Sequence, residues 1–243
     1  MLFSIFNSFG ENPTLALITL ILMIPALLIA LTVHEYAHGK MAFILGDKTA
    51  MMMGRLSLNP LHHLDPFGAL MLLLFGFGFA KPVPVNMRNV TRVNYKLGTF
   101  LISIAGVLAN FILAFIGVFG VLVTETVTLN KYGISASFLA AYGITEVSPI
   151  AIACYIFFTY FALLNIGLGV FNLIPIPPLD GSRILTIFLP AKAQVWFYKN
   201  EHLISIVILV LFITNILDKP LIAIRSAIYN GMEYLISLLP FIL

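Results

Sequence analysis

The feature that most constrains this chain is a set of apolar runs long enough to cross a lipid bilayer. The first run extends from Thr14 to Val33 and continues to about Leu45. A helix crosses the hydrocarbon core with about 20 apolar residues. Two more runs of this length occupy residues 97–123 and 149–171. The chain is therefore predicted to be an all-α, multi-pass membrane protein.

Composition supports a lipid environment. Hydrophobic residues make up 60% of the 243 residues and charged residues 9%, and the mean hydropathy is +1.05. Soluble domains carry about 25% charged residues, and one soluble core of this size could not bury so much apolar surface. Basic residues lie in loops, without a basic block interleaved with aromatic residues. The lipid bilayer is therefore the predicted partner, and nucleic acid is not.

Other segments are shorter or broken. The apolar run at 66–79 is below the roughly 17 residues of a straight span, and we predict a re-entrant or membrane-surface segment there. Two apolar helices are predicted at 203–217 and 221–243, which gives about five to six transmembrane helices. Alternating residues at 54–58 and the prolines of 80–86 predict short, membrane-associated β segments; ordinary loops are the alternative.

Two histidines and a glutamate interrupt the first apolar run. His34 and His38 are four residues apart, so on a helix they share one face, one turn apart. This spacing allows two imidazoles to bind one zinc ion, with Glu35 beside it as a general base. Polar side chains that join helices are the alternative, although ionisable groups within a membrane span are functional by default.

A third metal ligand is available far along the chain, at Asp180. Three prolines between Asn172 and Gly181 exclude a regular helix there. Unwound backbone at membrane depth is tolerated only where it is buried in protein or lines a wet cavity. Asp180 could therefore turn towards the histidines, although a simple turn residue is the alternative.

Charge distribution predicts the orientation. The loops at 40–65, 80–98 and 181–200 carry most of the lysines and arginines, so they are predicted to face the cytoplasm. The candidate site then lies towards the cytoplasmic side of the membrane, and the plasma membrane is the predicted location. The basic residues predicted on the opposite side are Lys131, Lys219 and Arg225.

Together these motifs resemble one known family. The segments His34–His38 and Asn172–Gly181 resemble the two metal motifs of the site-2 protease family of zinc intramembrane metalloproteases. The segments 54–60, 80–86 and 106–110 are also similar to family segments. Because this length leaves no room for a PDZ or CBS domain, the chain resembles the minimal members of the family.

The resemblance implies a zinc-dependent endopeptidase that cleaves membrane proteins in or near their transmembrane segments. It implies His34, His38 and Asp180 as the ligands of one Zn²⁺ ion per chain and Glu35 as the catalytic carboxylate. Asn110 or Asn172 is predicted to hold the oxyanion or the substrate backbone. A membrane metal-binding protein or divalent metal transporter that uses the same histidines is the alternative.

The resemblance also implies how the chain is organised. Its core is expected to contain three helices, at 14–45, 97–123 and 149–172. We predict a single integral-membrane protease domain over 1–243, with a catalytic core at about 14–185 and additional helices within 201–243.

Overall fold

Helices make up the regular framework of the protein. The computed structural model describes residues 12–63, 65–75, 81–144, 147–214 and 216–239. Within those ranges no β-strand forms. The ten α-helices in the same ranges are α1 (Pro13–Ile44), α2 (Thr49–Met52), α3 (Pro66–Phe75), α4 (Tyr95–Tyr132), α5 (Ala136–Ala141), α6 (Pro149–Leu173), α7 (Asp180–Thr186), α8 (Ala191–Lys199), α9 (Glu201–Ile213) and α10 (Asp218–Ser237).

Local sequence sets the ends of the three longest helices. Asn12, Asn94 and Ser148 precede α1, α4 and α6, and each side-chain oxygen accepts a hydrogen bond from the backbone N–H three residues later, at 3.0, 2.9 and 3.3 Å. Such caps satisfy amides that have no partner within the helix. At its other end, α4 stops at Gly133, which has the left-handed φ of 69° that glycine favours.

Three of the described helices, α1, α4 and α6, are long and apolar enough to cross a membrane. Their outer faces expose large apolar side chains, such as Ile21 at 56% and Ile112 at 63%, which suits contact with lipid. The prediction of an all-α membrane protein is confirmed. The three helices also match the predicted segments, except that α4 extends nine residues beyond 123 to Tyr132.

The predicted count of five to six spanning helices is not confirmed. The thirteen residues of α9 give a helix of roughly 20 Å, and the ten residues of α3 give roughly 15 Å, against a hydrocarbon thickness of about 30 Å. Residues 76–79 of the predicted re-entrant segment lie outside the described residues. The α10 helix has twenty residues, but four of them are charged: Asp218, Lys219, Arg225 and Glu233.

The predicted β segments are not confirmed either. Residues 54–58 form turns and bends, and residues 81–86 have no regular secondary structure. Ala80 lies outside the described residues. The physical reason is that the prolines at 82 and 84 have no N–H to donate to a ladder, and side chains occupy the neighbouring amides, as described below.

The direction of α10 corrects one part of the charge argument. Leu221 packs in a cluster with Ala114 and Val170, whereas Ile236 packs with Val118 and Ala162. Along α4 and α6, the second cluster lies farther from the end that carries His34, His38 and Asp180. The start of α10, with Lys219, therefore lies in the half of the bundle that contains those residues, and its placement on the opposite side was wrong.

The α4 and α6 helices pack closely because glycine lies where they cross. A Cβ atom on Gly117 would lie 2.8 Å from the backbone nitrogen of Ala162 and 2.9 Å from its Cα. Side-chain atoms do not approach backbone this closely, so the helices would have to separate. Small residues serve this purpose in membrane bundles generally, since packing and not the hydrophobic effect holds such helices together.

We therefore expect Gly117→Ala to lower the stability of the bundle by about 1–3 kcal/mol, the usual cost of overpacking. Thermal unfolding in detergent should record a lower Tm. Ile116→Val, on the lipid-facing surface next to it, is the matched control and should leave Tm nearly unchanged. An unaltered Tm for Gly117→Ala would contradict the packing described here.

Candidate metal centre

Two imidazoles and one carboxylate converge inside the bundle. His34 and His38 are buried on α1, and their Nε2 atoms lie 3.0 Å apart. The Asp180 Oδ2 atom lies 3.2 Å from Nε2 of His34 and 3.1 Å from Nε2 of His38. The structure thus brings together the three side chains that the sequence nominated from two distant segments.

Asp180 reaches the histidines because α7 begins directly against the end of α6. A Cβ atom on Gly181 would collide with the carbonyl oxygens of Leu173 and Ile174. Only glycine permits this approach, which turns the first residue of α7 back into the bundle. The irregular residues 174–179 between the two helices agree with the break that the prolines predict.

Hydrogen bonds on the far side of each ring fix its tautomer. His34 Nδ1 lies 2.6 Å from the Asn110 side-chain oxygen, and His38 Nδ1 lies 2.7 Å from the Ile102 carbonyl oxygen. Both oxygens are acceptors, so both Nδ1 atoms donate. In the neutral rings, each Nε2 atom therefore carries a lone pair that points towards Asp180.

These donor atoms fit a zinc ion. Asp180 Oδ2 is buried without a hydrogen-bond partner, so three atoms bearing lone pairs face one another. A tetrahedral zinc site with bonds of about 2.0–2.1 Å separates its ligand atoms by roughly 3.3–3.4 Å, close to the 3.0–3.2 Å found here. Two imidazoles and one carboxylate leave a fourth position free, as catalytic zinc sites require.

A chain of amides extends from His34 across the bundle. Asn110, on α4, donates from Nδ2 to the Ala30 carbonyl oxygen at 3.2 Å and to Asn165 Oδ1 at 2.8 Å. Asn165, on α6, donates in turn to the Phe161 carbonyl oxygen at 2.8 Å. Both asparagines are fully buried. Asn165 thus makes an interhelical hydrogen bond with Asn110, of the kind that polar side chains form between membrane helices.

The predicted oxyanion role of Asn110 is not supported by this geometry. Both Nδ2 protons are used by Ala30 and Asn165, and the oxygen accepts from His34. Asn110 therefore orients the His34 ring and has no free donor for an oxyanion. Asn172 donates one Nδ2 proton to the Leu168 carbonyl oxygen at 3.0 Å. Its side chain lines a cavity that His34, His38 and Asp180 also line.

Glu35 lies beside His34, His38 and Asp180 but is not one of the converging groups. It lines, with His34, His38 and Asp180, a cavity of about 320 Å³. Its Oε2 atom accepts a hydrogen bond of 2.8 Å from the backbone N–H of Val83. A carboxylate in this position can exchange a proton with a group in the cavity while the other three side chains hold a metal.

Sequence reasoning missed Asp47. No functional role was predicted for it, yet the residue is only 1% exposed. Its carboxylate accepts hydrogen bonds from Thr49, Asn86 and Asn89. Burial raises the pKa of Asp47, but these bonds outweigh burial and hold the pKa below its ordinary value. The sequence held one indication of this role: an Asp two positions before Thr49 commonly accepts a hydrogen bond from the backbone N–H of the later residue.

Comparison with known proteins agrees with this geometry. The model of peptidase family M50 matches residues 22–214. The chain belongs to peptidase family M50. This is the site-2 protease family, so the resemblance seen in the sequence is confirmed, and the chain is a metalloprotease of the zinc-dependent type.

Two relatives carry names of the same kind. "Putative zinc metalloprotease YwhC" of Bacillus subtilis is 40% identical over 192 residues, which are 79% of this chain and 80% of the relative. "Putative zinc metalloprotease Rip2" of Mycolicibacterium smegmatis is 26% identical over 204 residues, 82% of this chain and 69% of the relative. No solved structure matches the chain.

The α4 backbone lies against both imidazoles at Gly106. A Cβ atom there would lie 2.7 Å from Cε1 of His34 and of His38 and would collide with His38 Nε2. We expect Gly106→Ala to displace the rings and to lower zinc per chain, measured by elemental analysis of the purified protein. Gly167→Ala is the matched control, because its nearest atom lies 3.5 Å away. Full zinc content in Gly106→Ala would contradict this arrangement.

Asn110→Ala should weaken zinc binding by about 10–100-fold, since partners of this kind orient a ligating ring. Competition with a chelator measures the change. Asn165→Ala leaves the bond between Asn110 and His34 in place and should cost less. Equal losses in the two variants would mean that helix packing, and not the orientation of His34, sets the affinity.

Proposed function

We propose that this chain is a zinc-dependent intramembrane endopeptidase that hydrolyses peptide bonds in or near the transmembrane segments of membrane proteins. The observation that carries the proposal is the group of His34, His38 and Asp180 inside a bundle of membrane-spanning helices, with Glu35 beside it. A metalloprotease whose reactive groups lie within such helices meets its substrates in the bilayer.

His34, His38 and Asp180 hold one zinc ion per chain, and Glu35 is the catalytic carboxylate. Bound zinc supplies Lewis acidity to the scissile carbonyl and to the attacking water. Glu35 accepts the proton of that water and passes it to the leaving amine. Asn172 lines the cavity, and its second Nδ2 proton has no acceptor among the described residues; this proton is donated to the oxyanion or to the substrate backbone.

The substrate helix must unwind first, because its own hydrogen bonds cover the scissile amide. The 81–86 segment lines the cavity through Pro82, Val83 and Val85. Among the described residues, nothing hydrogen-bonds the Val85 backbone, so its N–H and C=O can pair with an opened chain. A second cavity, of about 460 Å³, shares Pro82, Val85 and Ile102 with the first and extends the path that an extended substrate would follow.

The membrane placement follows from charge. The cytoplasm-facing loops carry most of the basic residues, and Lys219 lies in the same half of the bundle, which strengthens the bias. The metal centre then lies towards the cytoplasmic side of the plasma membrane, which shortens the path for water. The chain acts as one integral-membrane protease domain over 1–243, with its catalytic core at about 14–185.

A metal transporter is the competing function, and the distribution of ligands disfavours it. A transport path needs successive sites. Across the part of the chain that the structure describes, His34, His38 and Asp180 form the one group of three or more His, Cys, Asp or Glu side chains close enough to share an ion. Glu35 is not a member of that group, as expected of a proton-transferring carboxylate.

Glu35→Gln tests the proposal. It should retain zinc and lower cleavage of a membrane-embedded reporter peptide by about 10²–10⁴-fold, the usual contribution of a general base. His34→Ala should lose both zinc and cleavage. Normal cleavage by Glu35→Gln, or zinc-dependent metal uptake without cleavage in proteoliposomes, would overturn the assignment.

A further inference from the structure

We propose that the backbone N–H of Val83 positions the catalytic carboxylate of Glu35, and that Asp47 is a positioning residue that holds Val83 in place. This inference rests on the proposed role of Glu35 as general base. It assigns a catalytic task to a segment, 81–86, whose only other proposed task is to pair with the substrate.

Glu35 accepts a hydrogen bond from a backbone N–H that lies far away in the sequence. Val83 N–H donates to Glu35 Oε2 at 2.8 Å, across 48 positions of sequence. Pro82 and Pro84 flank Val83 and have no N–H, so Val83 is the one backbone donor between residues 81 and 85. Proline on both sides also restricts the backbone, which keeps this donor aimed at Glu35.

Asp47 anchors the other end of the segment. Its Oδ2 atom accepts from the backbone N–H of Asn86 at 2.7 Å, and its Oδ1 atom accepts from Asn89 Nδ2 at 3.1 Å. Asp47 lies three residues beyond the end of α1, the helix that carries Glu35. The 81–86 segment is therefore held at two points, at Val83 by Glu35 on α1 and at Asn86 by Asp47 in the turn that follows α1.

A third attachment holds the beginning of the segment. The N–H of Lys81 donates to the His63 carbonyl oxygen at 2.9 Å, and Arg55 donates from Nη2 to the carbonyl oxygens of Lys81 and Pro82 at 2.8 and 3.2 Å. These bonds fix the end that lies away from Asp47. With both ends held, the position of Val83 is set by the surrounding structure and not by Glu35 alone.

The chemical consequence concerns the two carboxylate oxygens of Glu35. With Oε2 held by Val83, Oε1 is left to accept the proton of the attacking water. A carboxylate that could rotate freely would spend less time in the productive geometry, and errors of about 1 Å in placement can cost 10²-fold in rate. Val83 thus orients the general base, Glu35, whereas the backbone of Val85 pairs with the substrate.

Replacing Val83 tests the contact directly. Val83→Pro removes the N–H and keeps an apolar side chain, whereas Val83→Ala keeps the N–H and trims the side chain. We expect Val83→Pro to lower kcat by about 10–100-fold more than Val83→Ala does, with zinc per chain unchanged and KM altered less than kcat. Equal kcat in the two variants, or a loss confined to KM, would overturn the proposal.

Hydrogen exchange tests the anchor without relying on activity. Asp47→Ala should speed exchange at the amides of both Asn86 and Val83, and kcat should fall with zinc retained. Asn89→Ala, which leaves the bond between Asn86 and Asp47 intact, is the matched control and should have a smaller effect on both. Unchanged exchange at Val83, or loss of zinc and Tm together with kcat, would overturn the role of Asp47 and would do so even if Val83→Pro failed to fold.

Cleavage assays distinguish failure of the proposed protease activity from failure of the positioning role of Val83 and Asp47. Cleavage of a fluorescence-quenched transmembrane peptide by the wild type, abolished in Glu35→Gln, supports the proposed function. If Val83→Pro and Asp47→Ala then cleave as fast as their controls, only the positioning inference fails. If Glu35→Gln cleaves normally, the proposed function itself fails.

Discussion

Three buried atoms with lone pairs face one another inside an apolar bundle, and the rest of the structure depends on how the cost of burying them is offset. Nε2 of His34, Nε2 of His38 and Oδ2 of Asp180 lie 3.0–3.2 Å from one another, and when both rings are neutral with the proton on Nδ1, no proton lies between them. Burying polar atoms without a partner costs several kcal/mol in a membrane, and a cation shared by all three would remove that cost. The close approach of α4 to the imidazoles and the break at the end of α6 together bring these three atoms into contact.

Three glycines without side chains allow the helices to approach one another closely. Gly106 allows α4 to lie against both imidazoles, Gly117 allows α4 and α6 to touch, and Gly181 allows α7 to begin at the end of α6. Each glycine is therefore needed for the arrangement of the candidate metal centre, although none of them offers a side-chain ligand. The buried Asn110 then fills the space behind His34 with the hydrogen-bond acceptor that its ring requires.

Much of the framework was predictable, because lipid imposes simple rules on sequence. The three long helices follow from the length of their apolar runs, and the break after α6 follows from its prolines. The number of crossings and the β segments were not predictable in the same way. Charged residues within α10 and the short α9 do not reveal how these helices pack, and the 81–86 segment is held by side chains that lie far away in sequence.

The sequence by itself determined which groups could meet, since a spacing of four residues places His34 and His38 on one helix face and a proline-broken segment frees Asp180 to turn. Tertiary structure alone decided what surrounds them. Asn110 became the partner of His34 because Ala30 and Asn165 occupy its amide protons, and Asp47 became the anchor of the 81–86 segment because Asn86 folds back onto it. Such roles depend on distances between helices, which no local pattern of residues encodes.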